Sequence, residues 1–420
     1  MAEATPAEGV SPVYRGVVLA MLVLVFTFNF ADRQLLSILA PAIQKDLAIS
    51  DSGMGLLGGF AFAFLYSTLA IPLSWLADRT SRTWVITVSL ALWSAFTIGC
   101  GIASGFGQLF LCRLGVGIGE AGGVAPSYAT VADYFPPRSR ARATALYSLG
   151  IPLGSAAGVI AGGYILKHVD WRTAFLVVGA SGLIFAPFFR LIVREPARER
   201  TGQSAPQPIG EVFAILARKP SFWLLAFGAA SNSMIGYGVA FWLPSLMIRS
   251  FHLEPVQTSL FYGMILLVSG VLGTLAGGWL GDWLGKADRG AHARVAAVAL
   301  ALAGPLYAAG VLSPTITIAA LFFIVPTALG YVWISPVLTA VQHLVPGGMR
   351  ATASASFLLI NNLLGLGGGI YFLGRLSDAL KPGFGDEALR WAMLFGLSLY
   401  LVAALLMWLA AKPLRKDWVD

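Results

Sequence analysis

Phe106-GQLFLCRLGVGIGEAGGVAPSYATV-Ala132 is apolar enough and long enough to cross a bilayer as one helix, yet it contains Arg113 and Glu120. An ionised side chain at bilayer depth costs at least a few kcal/mol, so it persists where it faces a partner or a watery cavity. Arg113 and Glu120 are close to two helical turns apart, which places both on nearly the same face. A second charged pair, Asp32 and Arg33, interrupts the first apolar segment. Four ionisable groups amid apolar sequence imply a route for a solute or a proton.

Composition sets the class. The 420 residues are 57% hydrophobic and 11% charged. With a mean hydropathy of +0.77, a soluble globular chain is excluded and a multi-spanning membrane protein is implied. The net charge of +8 is spread over short loops rather than gathered with aromatic residues on one face, so nucleic acid is not expected as a partner. Lipid headgroups are the simpler acidic neighbours. Cys100 and Cys112 lie in apolar segments and read as small core residues, not as a disulfide or metal pair. The first residues, MAEATPAEGVSPVY, lack the basic start of a cleaved signal, so the first apolar helix is expected to serve for insertion.

Twelve apolar segments reach spanning length: 15–41, 53–77, 84–104, 106–132, 141–167, 171–194, 221–249, 256–284, 292–312, 315–341, 350–378 and 388–411. The expected organisation is a short N-terminal tail (1–14), a six-helix bundle (15–194), a charged and Pro-rich linker (195–219), a second bundle (220–411) and a tail (412–420). With the N-terminus inside, the inner loops collect most of the lysine and arginine, so both termini are expected in the cytoplasm. The halves echo each other: Ser74-WLAD-Arg79 is echoed by Gly278-WLG-Asp282, and Arg142-Ala-Thr-Ala returns as Arg350-Ala-Thr-Ala. Two repeated six-helix units with a midplane site are a transporter architecture.

Helix polarity places Arg113 about 10 Å deep and Glu120 about 10 Å further in, with Asp32 near the level of Arg113. Asp32, Arg33, Arg113 and Glu120 should therefore gather between the first and fourth helices. Arginine can then hold an anionic group while a carboxylate exchanges a proton. The competing view is a satisfied ion-pair network that only joins the two helices. At the cytoplasmic end, Asp78 with Arg79, Arg82 and Arg142, mirrored by Asp282 and Arg350, are expected to form a gate at helix N-termini, where ordinary positive-inside loops are the alternative. The second half lacks full charges in most of its helix centres. There Asn232, Tyr237, Trp242, Tyr331, Trp333, Asn361 and Asn362, together with Asn29 and Tyr128 of the first half, are candidate cavity residues. An ionic wall facing an apolar, aromatic wall suits an amphipathic anion. Gly117-Ile-Gly119-Glu-Ala-Gly122 matches a dinucleotide fingerprint but follows no strand, so it reads as helix packing. No enzyme motif, cofactor or metal set emerges.

These residues resemble the major facilitator superfamily and, within it, the spinster-like branch. The similarity rests on SWLADRTSR at 74–82, on RLGVGIGEA at 113–121, on GEAGGVAPSYATVADYFP with ALYSLGIPLGSAAG, on Asp170-Trp-Arg-Thr-Ala-Phe and on Asn29-Phe-Ala-Asp32-Arg33. Ser74 and Ser81 stand where the family's loop motif has glycine. The resemblance implies an all-α fold of twelve transmembrane helices in two six-helix bundles. It also implies proton-linked or facilitated movement of a lysophospholipid or sphingoid phosphate. Asp32 and Glu120 would carry protons, and Arg33 and Arg113 would hold the headgroup and couple the two. A monomer in a bacterial inner membrane is expected, with a small organic acid or a drug as alternative cargo.

Overall fold

The computed structural model describes residues 10–195, 209–285, 288–346 and 349–419. Among these residues every regular element is a helix. We number the spans α1 (Pro12–Leu47), α2 (Asp51–Arg79), α3 (Arg82–Ile102), α4 (Phe106–Tyr134), α5 (Arg142–His168), α6 (Trp171–Ile192), α7 (Pro220–Ser250), α8 (Pro255–Gly285), α9 (Ala291–Val311) and α10 (Ile316–Gln342). The remaining apolar helical stretch, Thr352–Asp417, has 66 residues. At ~1.5 Å per residue it is about three bilayers long, so it must turn back. It does so at Gly385, where φ is +54°, a backbone that glycine adopts without a Cβ penalty. This divides it into α11 (350–384) and α12 (388–417). The twelve apolar segments read from the sequence thus each form a span.

The ends have local causes. Ser11 accepts from the Tyr14 N–H and Pro12 opens α1, while Ser50 accepts from the Gly53 N–H at the start of α2. Asp170 caps α6 through the Thr173 N–H at 2.6 Å. That bond holds the Asp170 carboxyl below its usual range. The link from α2 to α3 makes its turn without glycine. Ser81 stays at negative φ and its hydroxyl accepts from the Trp84 N–H, so serine here supplies a cap.

Two units pack separately: Met1–Ile49 with Ala61–Gln203, and Ser50–Phe60 with Ser204–Asp420. Helix α2 is therefore shared, a feature that division by sequence alone does not express. Its passage from one unit to the other falls at a π-helical segment, Leu56–Phe60. A second π segment, Leu363–Gly367, interrupts α11, and a Cβ added at Gly59 would lie 2.8 Å from the Gly367 carbonyl. Local π-helix of this kind recurs where helices are adapted to function.

The helix pairs repeat. α1 packs on α5, α2 on α4 and α3 on α6 in the first unit; α7 on α11, α8 on α10 and α9 on α12 in the second. Small residues permit the approach in α4. A Cβ at Gly117 would meet the Phe62 carbonyl at 2.6 Å, so the glycine-rich stretch is a helix-packing surface.

Candidate functional site

The ionic cluster of the first unit is built from α1, α2, α3 and α4. Arg33 Nε donates to Glu120 Oε2 at 2.7 Å. Arg113 Nη1 reaches Asp32 Oδ2 at 3.4 Å, and Thr97 Oγ1 donates to Asp32 Oδ1 at 2.7 Å. The sequence thus foresaw the gathering of four charges, and the structure resolves it into two crossed pairs. Asp32, Arg113 and Glu120 are at most 2% exposed, whereas the Arg33 side chain keeps 15% of its surface.

Phe62 of α2 organises the pairs. The Arg33 guanidinium carbon lies 4.7 Å and that of Arg113 5.5 Å from its ring centre. Arg33 also stands 4.6 Å from the Tyr66 ring and 5.0 Å from Phe30. Cations over aromatic faces are held without further anions. Neither Phe62, Tyr66 nor Thr97 was singled out from the sequence. The usable signal was the i, i+4 spacing of two aromatic residues on a helix next to charged ones.

The network is incomplete. Glu120 Oε1, Arg33 Nη2, Arg113 Nε and both side-chain polar atoms of Asn29 are buried without a hydrogen-bond partner among the described residues. Protein groups leave these valences to water, a proton or a solute, since each would cost about 1–3 kcal/mol or more if it stayed empty. Chemically, the cluster offers a carboxylate oxygen free to take a proton and guanidinium N–H groups free to meet an anion.

Just beyond Glu120 the helix breaks. The first segment of α4 ends at Ala121, Gly123 N–H bonds to the Glu120 carbonyl, and helix resumes at Val124. The single helix read from the sequence is thus two segments, because consecutive glycines stabilise the helix least. α10 breaks correspondingly between Leu329 and Ile334, at the place of Tyr331 and Trp333.

The candidate cavity residues of the second unit separate into kinds. Ser233 Oγ donates to Asn361 Oδ1 at 2.8 Å, with Asn362 adjoining, while Asn232 Oδ1 is buried and unpartnered. Trp333 is buried beside Phe357, Tyr331 is half-buried, and Tyr237 is exposed. Trp242 lines no opening: it is fully buried and donates its indole N–H to the Ile370 carbonyl, joining α7 to α11. A large aromatic with one polar tip makes such a tie as readily as it lines a cavity. In the first unit, Tyr128 is exposed and shares a hydrogen bond with Ser148.

Of the gate residues, Asp78 receives Arg82 Nη2 at 2.8 Å, and Arg82 also pairs with Asp133. Arg79 lies over the Trp75 ring, Arg142 is exposed, and Arg350 bonds His343 at the start of α11. The side chain of Asp282 lies outside the described residues. Sequence reading missed Glu195, whose carboxylate accepts from the Arg82 and Thr83 N–H groups and from the Ser81 and Thr83 hydroxyls, capping α3. Burial alone would raise its pKa, but these donors outweigh burial and hold it at about 2.

A further charged group belongs to the second unit. Asp51, 3% exposed, receives both terminal nitrogens of Arg249 and the Ser377 hydroxyl. Asp378 accepts from the Asp51 and Ser52 N–H groups. This ties the first turn of α2 to α7 and α11.

Paired six-helix repeats with buried charges at a helix break define a membrane carrier. The Major Facilitator Superfamily profile matches residues 22–369, and the chain belongs to that family. It is 30% identical to human protein spinster homolog 1, over 89% of this chain and 75% of that protein. It is 35% identical to an MFS-type efflux pump of Mycolicibacterium smegmatis, over 95% of this chain and 93% of the pump. A crystal structure of a bacterial homolog of the human lysosomal transporter Spinster, in an inward-facing and unoccupied conformation, matches with a TM-score of 0.88. That match has 28% identity and covers 98% of this chain and all of that one. The protein is therefore a multi-pass membrane transporter with spinster homology.

Proposed function

We propose that the protein is a proton-coupled, alternating-access carrier of an amphipathic anion of lysolipid type. The observation that carries this reading is the cluster's set of buried atoms without a protein partner: Glu120 Oε1, Arg33 Nη2 and Arg113 Nε. An anionic headgroup on Arg33 and Arg113 competes with Glu120 and Asp32 for the same guanidinium groups. Once released from arginine, a buried carboxylate favours its neutral form and takes up a proton. Headgroup binding and protonation are then linked through one set of hydrogen bonds. Around Arg33 the cluster offers the aromatic faces of Phe30, Phe62 and Tyr66, which suit an amphipathic cargo better than a sugar, which needs many directed hydrogen bonds.

The gate assignment of Asp78, Arg79, Arg82, Arg142, Asp282 and Arg350 belongs to the same proposal, with both termini in the cytoplasm of a bacterium. Asp51, Arg249, Ser377 and Asp378 tether the first turn of α2 within the second unit.

A second reading is favoured by the Mycolicibacterium relative: outward transport of amphipathic drugs. Flux in proteoliposomes decides. Lysolipid should move with a proton gradient in the wild type, and Glu120→Gln should remain folded while flux becomes indifferent to that gradient. Displacement of bound probe by lipophilic cations but not by lysolipid would establish the efflux reading instead. Displacement by short carboxylates alone would establish a small-acid carrier.

A further inference from the structure

A groove of about 590 Å³ runs along the outer surface of the second unit between α9, α10 and α12. Val298 and Leu302 of α9 and Trp408 of α12 form its walls, and each is more than half exposed. Leu329 and Val332 form its floor at the break in α10. The size falls within the roughly 300–1,000 Å³ of small-molecule sites. In a membrane carrier such walls contact lipid chains rather than water.

One end of the groove is charged. Asp288 accepts from Arg415 Nε at 2.9 Å and Nη2 at 2.7 Å, and it also pairs with Arg294. Two guanidinium groups thus share one carboxylate, leaving one positive charge uncompensated within the triad. Lys412, exposed on the Trp408–Arg415 face of α12, adds another. Arg289 is turned to the Trp418 ring, and Asp417 is bonded to Ser221. Along α9, Arg294, Val298 and Leu302 recur at helical spacing, so one face runs from cation to apolar wall over about 12 Å. Cation at one end and an elongated apolar trough behind it are complementary to an anionic phospholipid: phosphate at the arginines, one acyl chain in the groove.

We propose that this groove is a binding site for an anionic phospholipid of the surrounding bilayer, whose chain packs against the break in α10. The site lies outside the ionic cluster and does not depend on what the carrier transports. Native mass spectrometry of the purified full-length protein, with phosphatidylglycerol and phosphatidylcholine of identical chains, tests it. Wild type should retain phosphatidylglycerol about five- to tenfold more tightly. Arg415→Gln, which leaves Asp288 paired with Arg294, should remove most of that preference. Leu302→Trp or Val298→Trp, each filling the groove from its exposed side, should weaken both lipids. Equal retention of the two lipids by wild type would overturn the proposal. So would an unchanged preference in Arg415→Gln, or displacement by glycerol phosphate as effective as by the whole lipid. Loss of phosphatidylglycerol in Arg33→Gln but not in Arg415→Gln would also overturn it, by assigning the lipid to the ionic cluster.

Discussion

The fourth helix of each half makes the same break and carries different chemistry. Counted from the first residue of each span, Arg113 of α4 corresponds to Phe323 of α10, and Glu120 corresponds to Gly330. Around Phe323 the second unit is filled by aromatic and hydroxyl groups: Tyr307 lies against it, stacks on Tyr400 and shares a 2.6 Å hydrogen bond with Thr327. Around Arg113 the first unit holds two carboxylates and two guanidinium groups. One helix arrangement is thus completed with and without ions. The fold does not require them, and buried ion pairs are a poor route to stability. Their retention in the first unit speaks for a task.

The comparison fails if the ions prove structural. Arg113→Ala strands the Asp32 carboxylate with Thr97 as its nearest remaining donor and should cost about 3–5 kcal/mol. The paired replacement Asp32→Leu with Arg113→Met should recover most of that loss in thermal unfolding while flux stays absent. Wild-type flux in the paired variant would mean that the charges only hold helices together.

The tether in the second unit offers a contrasting case, since its carboxylate has every oxygen engaged. Asp51→Ala removes the partners of Arg249 and Ser377 and should destabilise by about 2–4 kcal/mol. Limited proteolysis before α2 should report the freed first turn.

Packing between α4 and α2 is a smaller effect. Gly117→Ala pushes a methyl group against the Phe62 carbonyl, which cannot retreat as a flexible side chain can. A cost of about 1–3 kcal/mol is expected, with a disturbed Arg33–Phe62–Arg113 arrangement and weakened anion binding.

Glu195 gives the least change and a defined sign. Its carboxyl is held at about 2 in the folded protein, against ~4.3 for a free glutamate. Its stabilisation is therefore complete above pH ~4.3 and is lost as pH falls through about 2. Glu195→Gln should cost roughly 1 kcal/mol, discounted for its partial exposure, and should flatten the unfolding profile across that window. An unaltered profile would remove Glu195 as the cap of α3.

Much of this was legible because a bilayer imposes hard requirements on a chain. Apolar length fixed the spans, and the cost of a buried charge singled out Asp32, Arg33, Arg113 and Glu120. Other features had no sequence-local signal. Phe62, Tyr66 and Thr97 look like ordinary helix residues until α2 and α3 are laid beside α1 and α4. Trp242 has the composition of a cavity wall and is a packing tie, because an indole serves either purpose and only its neighbours select one. Glu195 opens a charged linker in the sequence, yet it closes the first turn of a helix more than a hundred residues earlier in the chain.

Sequence alone determined that this chain crosses a membrane twelve times in two related halves, with ions gathered in one. Hydrophobic length and charge burial are one-dimensional constraints, readable residue by residue. Which carboxylate meets which guanidinium, which polar atoms are left over, and where α2 passes from one unit to the other were decided by tertiary structure. Those depend on side-chain directions and helix separations of a few ångströms, which arise only when distant segments pack.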